Sequence, residues 1–196
     1  MILNGAVFLS DYEDKQESIL VPVDLTNVAT VIRNASTLEM FGVELEMLYQ
    51  ITEKWDLQIT YGYLDAEYDD YLADLNGDNI ITDNSDLTPR NTPENTFGIT
   101  TSYTTTIGPG DLNGVVSYRY RDEIETNASN DPLGSLDDID NVDATISYTL
   151  ENYRIAVWGR NLTDEREQRW ATIGGIATRG WWNEPRMYGV TLSASF

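Results

Sequence analysis

From Gly42 onward the chain returns again and again to a period of two. Val43, Leu45, Met47 and Tyr49 alternate with Glu44, Glu46 and Gln50, with Leu48 the one exception. A two-residue repeat places every second side chain on the same face of an extended strand, so these runs have one apolar and one polar face and cannot be amphipathic helices. After the polar break Thr52, Glu53 and Lys54, a second run sets Leu57, Ile59, Tyr61 and Tyr63 against Asp56, Gln58, Thr60 and Gly62. Two such runs across a short break predict a hairpin. The pattern recurs at Phe97, Ile99, Thr101 and Tyr103, at Leu112, Gly114, Val116, Tyr118 and Tyr120, and at Val142, Ala144, Ile146, Tyr148 and Leu150. Two more runs are Tyr153, Ile155, Val157 and Gly159, then Tyr188, Val190, Leu192, Ala194 and Phe196. A further strand is expected from Ala6 to Gln16, its facing ambiguous because Ala6, Val7, Phe8 and Leu9 are consecutive apolar residues. The total is about eight strands, an all-β antiparallel fold.

The breaks alternate as well. They are short at 52–54, 106–111 and 151–152, and long near 20–33, 72–92, 126–138 and 162–182. Short turns at one end, long loops at the other, and Tyr and Trp near the strand ends are the pattern of a transmembrane β-barrel. A soluble sandwich or lipocalin-like barrel alternates too, but its apolar face points inward and nothing requires aromatics at the ends of an outward face. The membrane barrel is the favoured reading. No apolar run approaches the roughly 18 residues of a spanning helix, and the mean hydropathy of −0.37 fits barrel strands, whose two faces average to polar.

Composition removes several functions. With 12 basic against 33 acidic residues the formal charge is −21, which repels phosphate and argues against a nucleic-acid partner. The chain has no Cys and no His, so disulfide scaffolds, thiol nucleophiles, Cys/His zinc sites and histidine general bases are absent. Ser/His lipase or Asp/His protease chemistry on a barrel is thereby excluded. No pair of carboxylates is marked out for glycoside hydrolysis, and the chain reads as no enzyme. Residues after Met1 show neither a basic n-region nor an apolar h-region, so the expectation is a piece of a longer product or a truncated reading frame.

Several stretches resemble the C-terminal barrel of TonB-dependent outer-membrane receptors. They are Gly42-Val43-Glu44-Leu45-Glu46, Tyr61-Gly62-Tyr63-Leu64-Asp65-Ala66-Glu67-Tyr68, and Thr88-Pro89-Arg90-Asn91-Thr92-Pro93. The most diagnostic are Gly159-Arg160-Asn161-Leu162-Thr163-Asp164-Glu165 and the ending from Pro185 to Phe196. The resemblance implies an active importer of a scarce nutrient in the outer membrane of a Gram-negative bacterium, energised by the TonB machinery through a plug domain. It also implies that residues 1–196 supply about the last third of a barrel of about 22 strands, with plug and earlier strands lying outside. Its expected partners are outer-membrane lipid, the remaining strands and plug of the same protein, a small-molecule ligand and the barrel-assembly machinery. The assembly signal it implies is Tyr188, Val190, Leu192 and the terminal Phe196. A ferric siderophore is the expected cargo by family frequency. The alternatives are a glycan importer of the same family and a small stand-alone barrel serving as adhesin or anchor.

Candidate site residues follow from parity and charge. Arg119, Arg121, Arg154 and Arg160 lie opposite the apolar faces, hence toward the lumen. Of these, Arg119, Arg121 and Arg160 are candidates to hold carboxylate or catecholate groups of an anionic ligand, the competing reading being ion pairs with plug or neighbouring-strand carboxylates. Trp170, Trp181 and Trp182 in the last long loop are candidates for stacking on ligand, plug or headgroups. No Lys or Arg falls between Trp55 and Pro89, where nine acidic residues do. Within that stretch Asp74, Asn76, Asp78, Thr82 and Asp83 resemble the start of a calcium loop over 74–86, oxygen donors at alternate positions suiting Ca²⁺. The match fails at the twelfth position, where Ser85 stands in place of a bidentate carboxylate. Asn161 is expected to fix a turn at a strand end.

Overall fold

The computed structural model describes the backbone of residues 1–22, 28–78, 80–166, 168–174 and 177–196; side chains at 19–28, 30, 33, 35, 79, 167 and 169–179 fall outside the description. The strands in chain order are β1 (Ile2–Pro22), β2 (Val28–Thr52), β3 (Trp55–Ala73), β4 (Thr82–Asp83), β5 (Asn95–Ile107), β6 (Gly110–Arg121), β7 (Ile124–Glu125) and β8 (Ser135–Leu136). They continue with β9 (Ile139–Leu150), β10 (Tyr153–Arg160), β11 (Gln168–Gly174), β12 (Ala177–Trp182) and β13 (Met187–Ala194). Among the described residues no helix is long and apolar enough to cross a membrane.

Eight of these strands form one antiparallel path, β1-β2-β3-β5-β6-β9-β10-β13, each paired with its neighbour in that order, while β4, β7–β8 and β11–β12 are excursions of the long loops. The path is open: among the described residues β1 pairs only with β2, and β13 only with β10. A free-standing eight-stranded barrel would pair these two edges, because an unpaired backbone group in lipid costs several kcal/mol. The sheet is therefore an arc of barrel wall.

Register makes the arc two-faced. Val7 stands opposite Val43, and Val43 opposite Tyr63; Ile59 stands opposite Ile99, and Ile99 opposite Tyr118. Ile146 and Val190 flank Val157. Each apolar run thus meets the next, giving one continuous outward band. Val7, Leu45, Val116, Ile146, Val157, Val190 and Leu192 along it are open at the surface, and Val43, Ile59 and Ile99 are half-exposed. Tyr49, Trp55, Tyr103 and Tyr153 border the band at the short-turn end, and Phe41, Tyr63, Phe97 and Tyr120 at the other. Aromatic girdles of this kind sit at the two headgroup levels of a bilayer. Tyr188, Val190 and Leu192 lie on the same outward face of β13, and Phe196 follows it, fully exposed.

The inward face is polar and smooth. Two glycines there let an aromatic ring lie flat on the neighbouring strand. A Cβ on Gly42 would stand 2.1 Å from the Phe8 ring, and one on Gly189 would stand 2.1 Å from the Trp158 ring. The rings fill the space that the glycines vacate, one of the devices that pins register between strands.

Beyond the membrane the strands differ from the sequence expectation. The break expected near 20–33 is mostly strand: β1 runs on to Pro22 and β2 begins at Val28. These extensions are rich in Ile, Val and Thr but stand above the lipid, where no apolar solvent enforces alternation, so their period is invisible. A β-bulge at Asp14, with φ of 54°, and another between Thr37 and Leu38 reset the facing of the upper strands. They turn Lys15, Glu17 and Tyr71 to the inner side, where Leu38 and Tyr68 already face by the regular alternation. There the loops fold back, and Leu38, Tyr68, Tyr71, Ala73 and Ala128 form the buried hydrophobic cluster, with Met40, Leu75 and Leu87 packed against it.

Candidate lumenal site and its rim

The inward face of the arc holds an open trough of about 880 Å³ whose polar lining includes Asn4, Glu44, Glu46, Thr60, Arg119 and Arg121. Its floor is nearly bare, because Gly62 and Gly98 alternate with Thr60 and Thr96 on β3 and β5. Carboxylates flank it on the β2 side and guanidinium groups on the β6 side. Arg119 and Arg121, expected to face the lumen, do so and border the same space.

Arg119 is paired within the wall and Arg121 with the adjoining loop. Arg119 lies 3.5 Å from the Asp143 carboxylate on the neighbouring strand, and its Nη2 donates to Asn141 Oδ1 at 3.4 Å. Arg121 donates from Nη1 to the Asp122 carbonyl at 2.7 Å and from Nη2 to the Asp137 carbonyl at 3.2 Å. Arg160 belongs to a different, smaller cavity of about 380 Å³ that also includes Asp143, Arg154, Trp158 and Thr191. Its guanidinium carbon sits 5.3 Å from the centre of the Trp158 ring, which donates through Nε1 to Thr191 Oγ1 at 3.2 Å. The three candidate arginines are thus divided between two cavities, with Asp143 bordering the second and pairing with Arg119 of the first.

Trp181 and Trp182 lie on β12, 75% and 63% exposed, in the hairpin that β12 makes with β11. Trp170 is the backbone partner of Trp181 across that hairpin; its side chain lies outside the described residues. The hairpin springs from a knot around Asn161, which is 4% exposed and has φ of 50°. Asn161 Nδ2 donates to the Glu165 carbonyl at 2.8 Å and the Glu184 carbonyl at 3.1 Å, while its Oδ1 accepts from Glu165 N at 2.9 Å. Its own backbone N donates to Asp143 Oδ1 at 2.9 Å. Both ends of the loop and the adjacent strand are tied through this one residue, as expected of a turn-fixing position.

In loop 74–94, Asp74 Oδ1 accepts from Gly77 N at 2.7 Å, Asp78 Oδ1 from Ile80 N at 2.7 Å and Asp83 Oδ1 from the Ser85 hydroxyl at 2.8 Å. Asn76 Oδ1 accepts from Asp78 N at 3.0 Å, and the Thr82 hydroxyl donates to the Ala73 carbonyl at 3.2 Å. The Ser85 hydroxyl and backbone N–H hold the Asp83 carboxyl below its usual range. The Asp and Asn oxygens cap their own turns and the Thr82 hydroxyl bonds across to its strand partner, and among the described residues no three acidic side chains gather closely enough to hold a metal ion.

The arrangement not foreseen lies at the rim. Glu17 is fully buried. Its carboxylate meets Lys15 Nζ through Oε1 and Arg90 Nη2 through Oε2, the latter at 2.6 Å, and accepts from Tyr68 OH at 3.0 Å. Tyr68 stacks on Tyr71 with ring centres 4.7 Å apart, and Tyr71 OH donates to the Ala128 carbonyl at 3.3 Å. Both tyrosines stand beyond the ten or so residues a spanning strand needs, counted from Trp55. Burial, then the Glu17 charge, push the Tyr71 phenol up to about 12 and the Tyr68 phenol higher still. The only signal in the sequence was the motif from Thr88 to Pro93, quoted for its resemblance and not for its arginine.

Fold and faces define a class: an arc of a transmembrane β-barrel with an outward lipid band, a polar lumen wall and long, structured loops at one rim. The chain belongs to the TonB-dependent receptor family, whose β-barrel domain model matches residues 2–162, well over half of it. It is similar in structure to the ferric yersiniabactin uptake receptor FyuA from Yersinia pestis, with a TM-score of 0.77 and 18% identity over 99% of this chain and 27% of that one. The siderophore receptor PiuA from Acinetobacter baumannii gives 0.70 and 22% over 97% of this chain and 25% of PiuA. The ferric-catecholate import receptor Fiu from E. coli K12 gives 0.68 and 19% over 99% and 25%. The chain therefore spans about a quarter of the length of these receptors. No curated protein matches the sequence.

Proposed function

We propose that the chain is the C-terminal barrel portion of an outer-membrane receptor that imports a ferric siderophore, driven by TonB through a plug domain elsewhere in the protein. The observation that carries this reading is the match over nearly the whole chain to an arc of receptor wall, in structures whose named roles are ferric-chelate uptake. The wall itself performs two tasks. Its outward band anchors the protein in lipid, and its inward face offers a polar trough along which a water-soluble cargo passes without meeting apolar surface.

The test uses the full-length receptor in its native Gram-negative host. Deleting its gene should abolish uptake of radioactive iron supplied on one siderophore class under iron limitation, and loss of TonB should do the same. Unchanged iron uptake, together with lost growth on an oligosaccharide, would refute the siderophore reading in favour of glycan import, for which the exposed Trp181 and Trp182 supply stacking faces.

A further inference from the structure

We propose that the Glu17–Arg90 ion pair is a latch that clamps two extracellular loops, 74–94 and 122–138, to the barrel wall, making this side of the mouth a fixed rim. The proposal concerns the rim alone and does not depend on which cargo is carried.

Lys15 and Glu17 lie two residues apart on β1, so their pairing needs no loop to be ordered. Arg90 is different, because it reaches the same carboxylate from a loop far along the chain. With Lys15 alone the carboxylate is neutralised and can face water. Covered by the loops it is fully buried, and a buried carboxylate needs more than one partner to offset its desolvation. Arg90 supplies the second charge and Tyr68 a hydroxyl donor at 3.0 Å. Closure of the loop and burial of Glu17 are therefore one event.

Segment 88–93 carries the clamp onward. The Thr92 hydroxyl donates to the Pro89 carbonyl at 2.6 Å, and Pro89 is itself buried, which holds Arg90 in a stiff turn. Thr88 N donates to Asn130 Oδ1 at 2.7 Å, and Asn130 Nδ2 returns a bond to the Thr88 carbonyl at 2.9 Å. Asn91 N donates to the Glu125 carbonyl at 2.9 Å. The second loop is thus bolted to the first, and Tyr71 reaches it a second time through Ala128.

The experiment places one thiol reporter, Ala128→Cys, in the full-length receptor assembled in outer membranes; Ala128 is 5% exposed and this chain has no cysteine of its own. The introduced thiol should be protected from maleimide in the otherwise unchanged receptor and label at least tenfold faster with Arg90→Ala or Glu17→Gln. Glu17→Gln should give the larger rise, because it leaves Lys15 and Arg90 facing each other without a counter-charge. Heat-modifiable migration on gels shows in parallel whether the barrel has assembled. Unchanged labelling in assembled variants would overturn the latch. So would failure of both variants to assemble, since the pair would then support the wall and not the loops.

Discussion

The knot at Asn161 gives a perturbation whose size can be worked from its bonds. Asn161→Ala removes three short bonds, two donations to the backbone carbonyls of Glu165 and Glu184 and one acceptance from Glu165 N, besides two stretched acceptances, from Asn141 Nδ2 at 3.3 Å and the Thr163 hydroxyl at 3.4 Å, that add little. At about 1 kcal/mol net for each bond the loss is about 3 kcal/mol. Holding alanine at the positive φ of this site, 50°, adds roughly 1 kcal/mol that asparagine largely avoids. The penalty falls on the loop carrying β11 and β12, because the wall strands keep their own ladders. Arg166, exposed and next to Glu165, reports on it. Tryptic cleavage there needs the chain to open locally, and its rate follows the open population. A loss of about 3–4 kcal/mol raises that rate by two to three powers of ten. Asn161→Gly relieves the backbone strain but not the lost bonds, so it should be cleaved about fivefold more slowly than the alanine variant. Cleavage within threefold of the unaltered receptor in both variants would refute the reasoning, since the knot would then not be what holds the loop.

Three further outcomes follow from the geometry. Burial raises the Asp122 carboxyl, but hydrogen bonds from Tyr120 OH, the Asn95 side chain and Asn95 N, with Arg121 beside it, outweigh that and hold it below its usual range. Its stabilising effect is therefore present above the unfolded value of about 3.9 and lost as pH falls through the lower folded value; Asp122→Asn should lower urea resistance at pH 7 and flatten the acid limb below pH ~4. Ile146→Arg, on the outward face, should cost about 2–4 kcal/mol, read as a lower temperature of barrel unfolding on gels, whereas Thr145→Arg on the inward face should shift it little. Gly189→Ala should displace the Trp158 ring from its seat and break its bond to Thr191. It should lower stability by about 1–2 kcal/mol, with a red-shifted tryptophan emission as the check.

How much of this was legible depended on which solvent each residue faces. Within the bilayer one face of every strand meets lipid, so Val43, Leu57, Ile99, Val116, Ile146 and Val157 announce their facing by alternation, and the inward parity of Arg119 and Arg121 follows at once. What those arginines bind was not legible, because Asp143 and the Asp137 carbonyl reach them through cross-strand register and loop folding. Above the bilayer the signal fails altogether. Glu17 sits in a run of polar residues that reads as solvated surface, and only the bulge at Asp14 turns it inward.

The same division explains how a chain with a charge of −21 and so small a buried core can be a stable wall. Inside lipid, apolar contact between strands gains nothing over contact with acyl chains, so cohesion there rests on the hydrogen-bond ladder between neighbouring strands and on register. A hydrophobic core can form only where water is the alternative solvent. Leu38, Tyr68, Tyr71, Ala73 and Ala128 do cluster there, above the outer girdle and beneath the folded loops. The water-driven core and the buried Glu17 occupy the same rim, so each stabilises the other: the loops that cover the apolar cluster also bring Arg90 to the carboxylate. A substitution inside the cluster, such as Leu38→Ala, should therefore loosen the Glu17–Arg90 clamp as well as the packing. The thiol reporter at position 128 should register both effects together, whereas an outward-facing change such as Val157→Ala should leave it silent.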